Sequence, residues 1–293
     1  MVMHSHCRRH ARCHAAFTLV EILVVIAIIA ILVSLVLVAA GRLLQQSKST
    51  ASKTNLRTIA QASTIYSTDN NGYLLSPRTT QLVGNDKDKA ERYWIWDFGT
   101  DSQGQQRQDM ESALKDGAAY EYIGEIGIYR SPIDPTERLR SYSLNGFIGV
   151  STGANEDDTL KSDLENGQRS HWLTCNTKSQ IPHPSETICV IAESGPGNES
   201  SSGNGNVDGW VINTNGTEWW RYPALWLDDG VNVAFLDGSM KTVRLDTSKT
   251  LREFWNSGSD VFDDAANPGV AKDYNRLKNM LFPGRITSLL ASN

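Results

Sequence analysis

The distribution of apolar residues changes abruptly near residue 40. Between Phe17 and Ala40 the only charged residue is Glu21, and nearly every other residue is Leu, Ile, Val or Ala. This stretch of 24 residues exceeds the ~20 that a helix needs to cross the hydrocarbon core of a bilayer. It is also longer than the ~7–15-residue apolar region of a signal peptide. The pattern therefore predicts a membrane-spanning helix over residues 17–40.

The helix is expected to continue beyond this span. Residues 41–71 contain no proline, and their apolar side chains recur at spacings of three and four, as in an amphipathic helix. The stretch Asp69–Gly72 then supplies a C-terminal stop signal. A helix from Phe17 to Asp69 would be about 80 Å long at a rise of 1.5 Å per residue. Its second half would offer an apolar stripe to a globular domain.

After Gly72 the pattern changes to short strands and many turns. Residues 188–192 form a β-branched run, and residues 231–235 alternate between larger and smaller or polar side chains. Asp237-Gly238 follows the second run and predicts a two-residue hairpin turn that places Phe235 opposite Met240. The sequence therefore predicts an α+β fold, in which a long N-terminal transmembrane helix packs against a C-terminal antiparallel-sheet globular domain.

Charge is distributed unevenly around the span. The first 16 residues contain three arginines and no acidic residue, and removing them takes the formal net charge from −5 to −8 for the remainder. An acidic body argues against a nucleic-acid partner, because such partners require basic surfaces that neutralise phosphates. The basic leader favours an N-terminus on the cytoplasmic side and an exported C-terminal domain.

The junction between the leader and the span carries the most specific motif. From residue 15 to residue 21 it reads Ala-Ala-Phe-Thr-Leu-Val-Glu. This block, followed by an uncharged span, resembles the processing site of type IV prepilins and of the pseudopilins of type II secretion. The resemblance implies cleavage between Ala16 and Phe17 by a membrane aspartyl peptidase, followed by methylation of Phe17. That family usually has Gly before the cut, so Ala16 predicts slower or less complete cleavage.

Glu21 occupies the fifth position of the expected mature chain, where the family carries a glutamate. A carboxylate at the centre of a membrane helix costs ~2.5–3.5 kcal/mol on insertion scales, and such groups usually face a partner or a polar cavity. The resemblance implies that Glu21 of one subunit pairs with the Phe17 amine of its neighbour during assembly. The alternative is that Glu21 reaches the membrane interface and has no partner.

Segments of the body resemble a prepilin-type subgroup that is common in Planctomycetes and Verrucomicrobia and carries an Asp-Gly motif near its C-terminus. The similar segments here are residues 129–135, residues 140–146 and Asp237-Gly238. That subgroup often has a histidine ahead of Asp-Gly, and this chain has Leu227 in its place. No role of that histidine is therefore expected here.

Two candidate sites lie in the body. Cys175 and Cys189 could form a disulfide in an exported domain, and the alternative is a pair of inert buried thiols. Asn204, Asn206 and Asp208 have the alternating spacing of the first oxygen ligands of a Ca²⁺-binding loop. That loop lacks an acid at its first position, so the alternative is a surface loop without metal. No other cofactor is expected.

The sequence predicts a structural subunit rather than an enzyme, since it contains no His-Glu-x-x-His motif and no phosphate-binding loop. The expected regions are a leader (1–16), a transmembrane segment (17–40), an amphipathic continuation (41–71) and an exported globular domain (72–293). The expected assembly is a type IV pilus or a type II secretion pseudopilus. The expected partners are the prepilin peptidase/methyltransferase and other pilin or pseudopilin subunits.

The expected location is the inner membrane, crossed once, with the C-terminal domain periplasmic or extracellular. Two alternatives remain open. The first is a monomeric membrane-anchored binding protein that uses tryptophans of the body as a glycan platform. The second is an anchored hydrolase that depends on His171 or His183.

Overall fold

The computed structural model describes the following residues: 18–77, 92–96, 111–136, 138–149, 175–194, 209–212, 219, 222–227, 230–256 and 268–282. The chain divides into two compact units, residues 1–47 and residues 48–293. An apolar N-terminal helix is followed by a four-stranded antiparallel sheet with shorter helices. The predicted α+β layout is therefore confirmed.

Helix α1 runs without interruption from Leu19 to Asp69. Its part from Leu19 to Leu37 is, among the described residues, the one helix long and apolar enough to cross a membrane. The helix ends where Asn71 and Gly72 adopt left-handed conformations, with φ of 56° and 86°. Glycine meets this requirement without a steric cost. The predicted C-terminal stop is confirmed.

The second half of α1 buries one face in the core of the body unit. The buried side chains on this face follow helical spacing: Ser52, Leu56, Ile59, Ala60, Ala62, Ser63, Tyr66 and Ser67. Several are small, which lets the neighbouring strands approach the helix closely. Ser63 forms a hydrogen bond with the Cys189 thiol, and Thr64 Oγ1 donates to Leu236 O at 3.3 Å. Both contacts hold the helix against the sheet.

The sheet has the strand order β1-β2-β3-β4 and is antiparallel throughout. All residues of the first three strands are buried, whereas the edge strand β4 buries only Val243. The strands are Tyr142–Leu144 (β1), Ile188–Ala192 (β2), Gly230–Phe235 (β3) and Met240–Arg244 (β4). The later helices are Glu111–Lys115 (α2), Tyr120–Ile123 (α3), Ser248–Asn256 (α4) and Pro268–Leu281 (α5), with 3₁₀ turns at Ile126–Tyr129 and Lys178–Gln180.

The hairpin between β3 and β4 differs from its prediction by one residue. Met240 pairs with Ala234 rather than with Phe235. The Phe235 amide donates to Ser239 O at 2.8 Å, so the loop comprises three residues. Its third residue, Gly238, has a φ of 82°, as expected for a three-residue hairpin loop with a left-handed final position. The predicted two-residue turn is therefore wrong, and the Asp237 carboxylate stabilises the longer loop by accepting the Ser239 amide at 2.8 Å.

The side chain of Asn145 joins three parts of the core. Its amide nitrogen donates to Ile188 O at 2.8 Å and to Leu281 O at 2.7 Å. Its oxygen accepts a hydrogen bond from the Phe147 amide at 3.0 Å. Asn145 is fully buried, so these contacts tie the start of β2 to the C-terminal end of α5 without solvent competition.

A polar turn fastens the body to the second half of α1. This turn, residues 130–136, is called the clasp below. Ser131 Oγ in the clasp donates to Ser52 Oγ at 3.0 Å, and Ser52 Oγ lies 3.1 Å from the Tyr142 hydroxyl. Asn55 Nδ2 donates to Arg130 O at 3.0 Å. The segments that resemble the prepilin subgroup, residues 129–135 and 140–146, therefore dock the helix on the sheet.

The Asp134 carboxylate holds the clasp in shape. It accepts hydrogen bonds from Ser141 Oγ at 2.5 Å, from Arg138 Nε at 2.7 Å and from the Thr136 amide at 2.9 Å. Burial acts to raise the pKa of Asp134, but these hydrogen bonds and the Arg138 charge outweigh it and hold the pKa below its ordinary value. The carboxylate is therefore ionised at neutral pH.

Replacing Asn145 with Asp tests the core junction. The substitution keeps the shape but removes both donors and sets a carboxyl group against two carbonyl oxygens. We expect the free energy of unfolding to fall by about 2–4 kcal/mol. Urea unfolding of the full chain in detergent, followed by tryptophan fluorescence, measures this. The exposed control Thr68→Ala should change stability by less than about 0.5 kcal/mol, and an equal effect of both variants would contradict the assignment.

Asp134→Asn tests the clasp through its pH dependence. Because the folded pKa lies below the ordinary value of 3.8, Asp134 stabilises the fold at pH values above the unfolded pKa. That contribution is lost as the pH falls through the folded pKa. We expect the variant to be less stable by about 3 kcal/mol at pH 7, with a smaller difference at about pH 3. Urea unfolding at both pH values measures this, with Glu121→Gln as an exposed control. A difference that stays constant with pH would argue against the assignment.

Candidate functional site

The first turn of α1 contains a reciprocal pair of hydrogen bonds between Thr18 and Glu21. The Thr18 amide donates to Glu21 Oε2 at 2.8 Å, and the Glu21 amide donates to Thr18 Oγ1 at 3.2 Å. Thr18 Oγ1 also donates to Glu21 Oε2 at 2.9 Å. This is a capping box, which satisfies amides at the start of a helix that have no intrahelical acceptor. The Thr-x-x-Glu spacing of residues 18–21 carries the sequence signal for this capping box, in addition to the processing motif.

The capping box orients the Glu21 carboxylate. Both hydrogen bonds to the side chain go to Oε2, and within the described residues Oε1 accepts none. The negative charge lies in the first turn, where it also interacts favourably with the positive end of the helix dipole. Oε1 is therefore available to a donor from another molecule.

The helix that follows Glu21 exposes apolar side chains on every side. From Leu19 to Leu37 the large apolar side chains are between 46% (Val25) and 79% (Leu19) exposed. An amphipathic surface helix would bury one face, and this segment buries none. Transferring so much apolar surface out of water is strongly favourable. The segment is therefore suited to a bilayer or to a bundle of similar helices.

The other predicted processing and metal residues lie outside the described part of the chain. These are Ala16, Phe17, Asn204, Asn206 and Asp208. Within the described ranges, no group of three or more His, Cys, Asp and Glu side chains could hold a metal ion.

Cys175 and Cys189 are both buried, free thiols. This arrangement corresponds to the alternative to a disulfide that the sequence left open. Burial raises the pKa of the Cys189 thiol to about 12, although the hydrogen bond with Ser63 opposes this effect. Cys189 is therefore protonated and unreactive at neutral pH.

Three tryptophans of the body are built into the core rather than into a binding platform. Trp94, Trp210 and Trp219 are at most 2% exposed. Trp96 is half-buried and stacks on Tyr93 at 5.7 Å, and Trp226 is half-buried with the Arg138 guanidinium 5.4 Å from its ring centre. Rings in such positions stabilise the fold and offer little free surface to a sugar.

The family described as the prokaryotic N-terminal methylation motif matches residues 11–37. The match covers the junction before Phe17, the Thr18–Glu21 capping box and the exposed apolar helix. No curated protein and no solved structure matches the chain. The N-terminal segment carries the methylation motif on a helix able to cross a membrane, and the chain is in this respect a prepilin-like protein.

Proposed function

We propose that this chain is a structural subunit of a type IV pilus or a type II secretion pseudopilus. The observation that carries the proposal is the coincidence of the methylation motif at residues 11–37 with the unpartnered apolar helix Leu19–Leu37. A helix of this kind needs a membrane before assembly and other helices after it. The proposal includes the predicted leader (1–16), transmembrane segment (17–40), helix continuation (41–71) and exported domain (72–293).

Processing is the first step of the proposed function. The prepilin peptidase/methyltransferase would remove residues 1–16 and methylate the amine of Phe17. Before cleavage the basic leader would remain in the cytoplasm, since positive charges favour that side of the membrane. The single span would then hold the chain in the inner membrane, with the body on the periplasmic or extracellular side.

Assembly is the second step, and Glu21 would direct it. The capping box leaves Oε1 without a partner among the described residues. The Phe17 amine of a neighbouring subunit would supply a charged donor to this oxygen. Inside a bundle of apolar helices an unpaired carboxylate is costly, so the pair would determine the register between neighbours.

A structural role is also supported by three polar side chains of the body that hold the fold. Asp134, Asp273 and Asn145 each accept or donate several hydrogen bonds to the main chain or to neighbouring side chains. The monomeric anchored binding protein is less well supported, because Trp94, Trp210 and Trp219 are buried.

Intact mass and N-terminal sequencing of the protein from its native membrane test the processing step. We expect a chain that begins at methylated Phe17, together with an uncleaved fraction caused by Ala16. Ala16→Gly should raise the cleaved fraction, whereas the matched control Ala15→Gly should leave it unchanged. A chain that retains Met1 in all variants would refute processing and favour the anchored binding protein.

Three substitutions separate the capping role of Glu21 from its charge. Gln also serves at this position of a capping box, so Glu21→Gln keeps the cap but removes the charge. Thr18→Ala does the reverse, and Glu21→Ala removes both. We expect both Glu21 variants to lower the yield of sheared filaments at least about tenfold, because the Phe17 amine loses its counter-charge. Thr18→Ala should have a smaller effect.

Membrane insertion of each variant, measured by fractionation, provides the control for that experiment. A Glu21→Gln protein that inserts and assembles as well as the unmodified chain would show that the charge is not used in assembly.

A further inference from the structure

Basic and acidic residues are separated along the chain after Glu21. Residues 22–68 contain four basic residues and no acidic one, whereas residues 70–293 contain 31 acidic and 21 basic residues, a net charge of −10. Three of the four cations lie in the body unit, on the second half of α1: Lys48, Lys53 and Arg57.

These three cations have no partner within the part of the chain that the structure describes. Lys48 and Arg57 are exposed, and Lys53 is half-buried. None of them takes part in an ion pair or a hydrogen bond of its side chain there. They occupy about 14 Å of helix axis at 1.5 Å per residue. They form the cationic segment of α1.

An acidic group lies at the other end of the same helix. Asp69 is the last residue of α1, whose final turn contains no basic residue. Tyr122 of α3 packs edge-on against Tyr66 at 5.7 Å, and this contact places Glu121 beside the end of α1. Burial, with the charges of Asp69 and Glu121, raises the pKa of Tyr122.

Glu125 lies two residues after the end of α3, and all three acids are exposed. No ion pair of these acids occurs among the described residues. Asp69, Glu121 and Glu125 are called the acidic end below. The negative end of the α1 dipole adds to their charge.

No ion pair joins the two groups within the part of one copy that the structure describes. Arg57 and Asp69 are about 18 Å apart along the helix, and Lys48 and Asp69 about 32 Å. An ion pair requires contact, and exposed charges are screened over ~8 Å at physiological ionic strength. Each group is therefore open to a second molecule.

We propose that the cationic segment of one copy binds the acidic end of the next copy in a head-to-tail contact. The inference rests on the proposed function and specifies how neighbouring bodies recognise one another. A head-to-tail interface uses two different surfaces and leaves one of each free on every dimer. Where such a contact does not close into a ring, it repeats along a fibre, as a filament requires.

An anionic membrane surface is a poorer partner for the cationic segment. Lipid phosphates that attract three cations would also repel a body of net charge −10. A second copy presents both signs, so the cations gain an acidic partner and the acidic end gains a basic one. The charge distribution therefore favours a second copy.

Cysteine cross-linking of the full chain in phosphatidylcholine liposomes tests the contact. One batch carries Thr54→Cys near the cationic segment, and a differently tagged batch carries Thr68→Cys beside the acidic end. Both threonines are exposed. Leader cysteines are removed by Cys7→Ser and Cys13→Ser, and the remaining native thiols are buried. Head-to-tail binding predicts a cross-link in the mixture and little in either batch alone.

Charge reversal tests whether the cross-link depends on attraction between the cationic segment and the acidic end. Lys48→Glu, Lys53→Glu and Arg57→Glu together on the Thr54→Cys chain should lower the cross-link yield about tenfold, because attraction to the acidic end is replaced by repulsion between like charges. Asp69→Lys, Glu121→Lys and Glu125→Lys on the other chain should restore it. Raising the salt to about 1 M should also lower the yield, because the screening length falls to ~3 Å.

The matched control is Lys249→Glu, which reverses an exposed lysine of α4 that lies 3.8 Å from Glu253, and it should leave the cross-link unchanged. A cross-link of equal yield in single batches and mixtures, or one insensitive to charge reversal, would overturn the proposal. A cross-link that forms only with phosphatidylglycerol present would assign the cations to lipid and also overturn it.

Filament formation by the unmodified chain is scored separately. Filaments without the cross-link would refute the charge contact alone. A charge-dependent cross-link without filaments would refute the pilus or pseudopilus function and leave the contact between copies standing.

Discussion

The apolar surface of the first part of α1 is the constraint on which the rest of the structure depends. A helix whose large side chains are apolar and at least 46% exposed from Leu19 to Leu37 is not stable alone in water, because burial of such surface is the dominant favourable term in folding. It requires lipid or other helices around its whole circumference. Any polar group in that environment needs a partner, and this gives significance to the one carboxylate, Glu21.

The body satisfies a different requirement, which is to hold the second half of the same helix. Small residues on α1 admit the sheet closely, and the clasp joins Ser52 and Asn55 to the body through Ser131 and Arg130. The buried hydroxyl of Ser52 on the helix therefore has a hydrogen-bond partner, as buried polar groups usually do. The chain therefore combines a helix half that needs partners with a half that is already packed.

Glu21 at the N-terminus of α1 uses its two carboxylate oxygens differently. Glu21 caps the helix through Oε2 and leaves Oε1 without a partner among the described residues. Capping orients the carboxylate, because two hydrogen bonds to Thr18 restrict its rotamers. A charge presented in a defined direction is more useful for recognition between helices than a mobile one.

Local signals in the sequence were sufficient for α1, for its end at Asp69, for β2 and for most of β3. Each of these depends on periodicity or on a left-handed residue such as Gly72, which neighbouring residues determine by themselves. The spacing Thr18-x-x-Glu21 is also a local signal, and it was sufficient to predict the capping box. Strand β1 was not predicted, because its three residues carry little periodicity. The helices α4 and α5 were not predicted either, although Val270, Tyr274 and Leu277 of α5 have helical spacing.

The register of β3 and β4 and the roles of the polar body residues depended on the tertiary structure. Asp237-Gly238 is compatible with loops of two or three residues, and the hydrogen bonds around Ser239 select the longer one. Similarly, Asn145 and Ser131 acquire their functions from residues distant in sequence. The sequence by itself determined the membrane-capable helix and its processing motif, because both are local. Only the tertiary structure decided how the body packs against the helix and where the charges of the body lie. Both depend on contacts between residues that are distant in sequence.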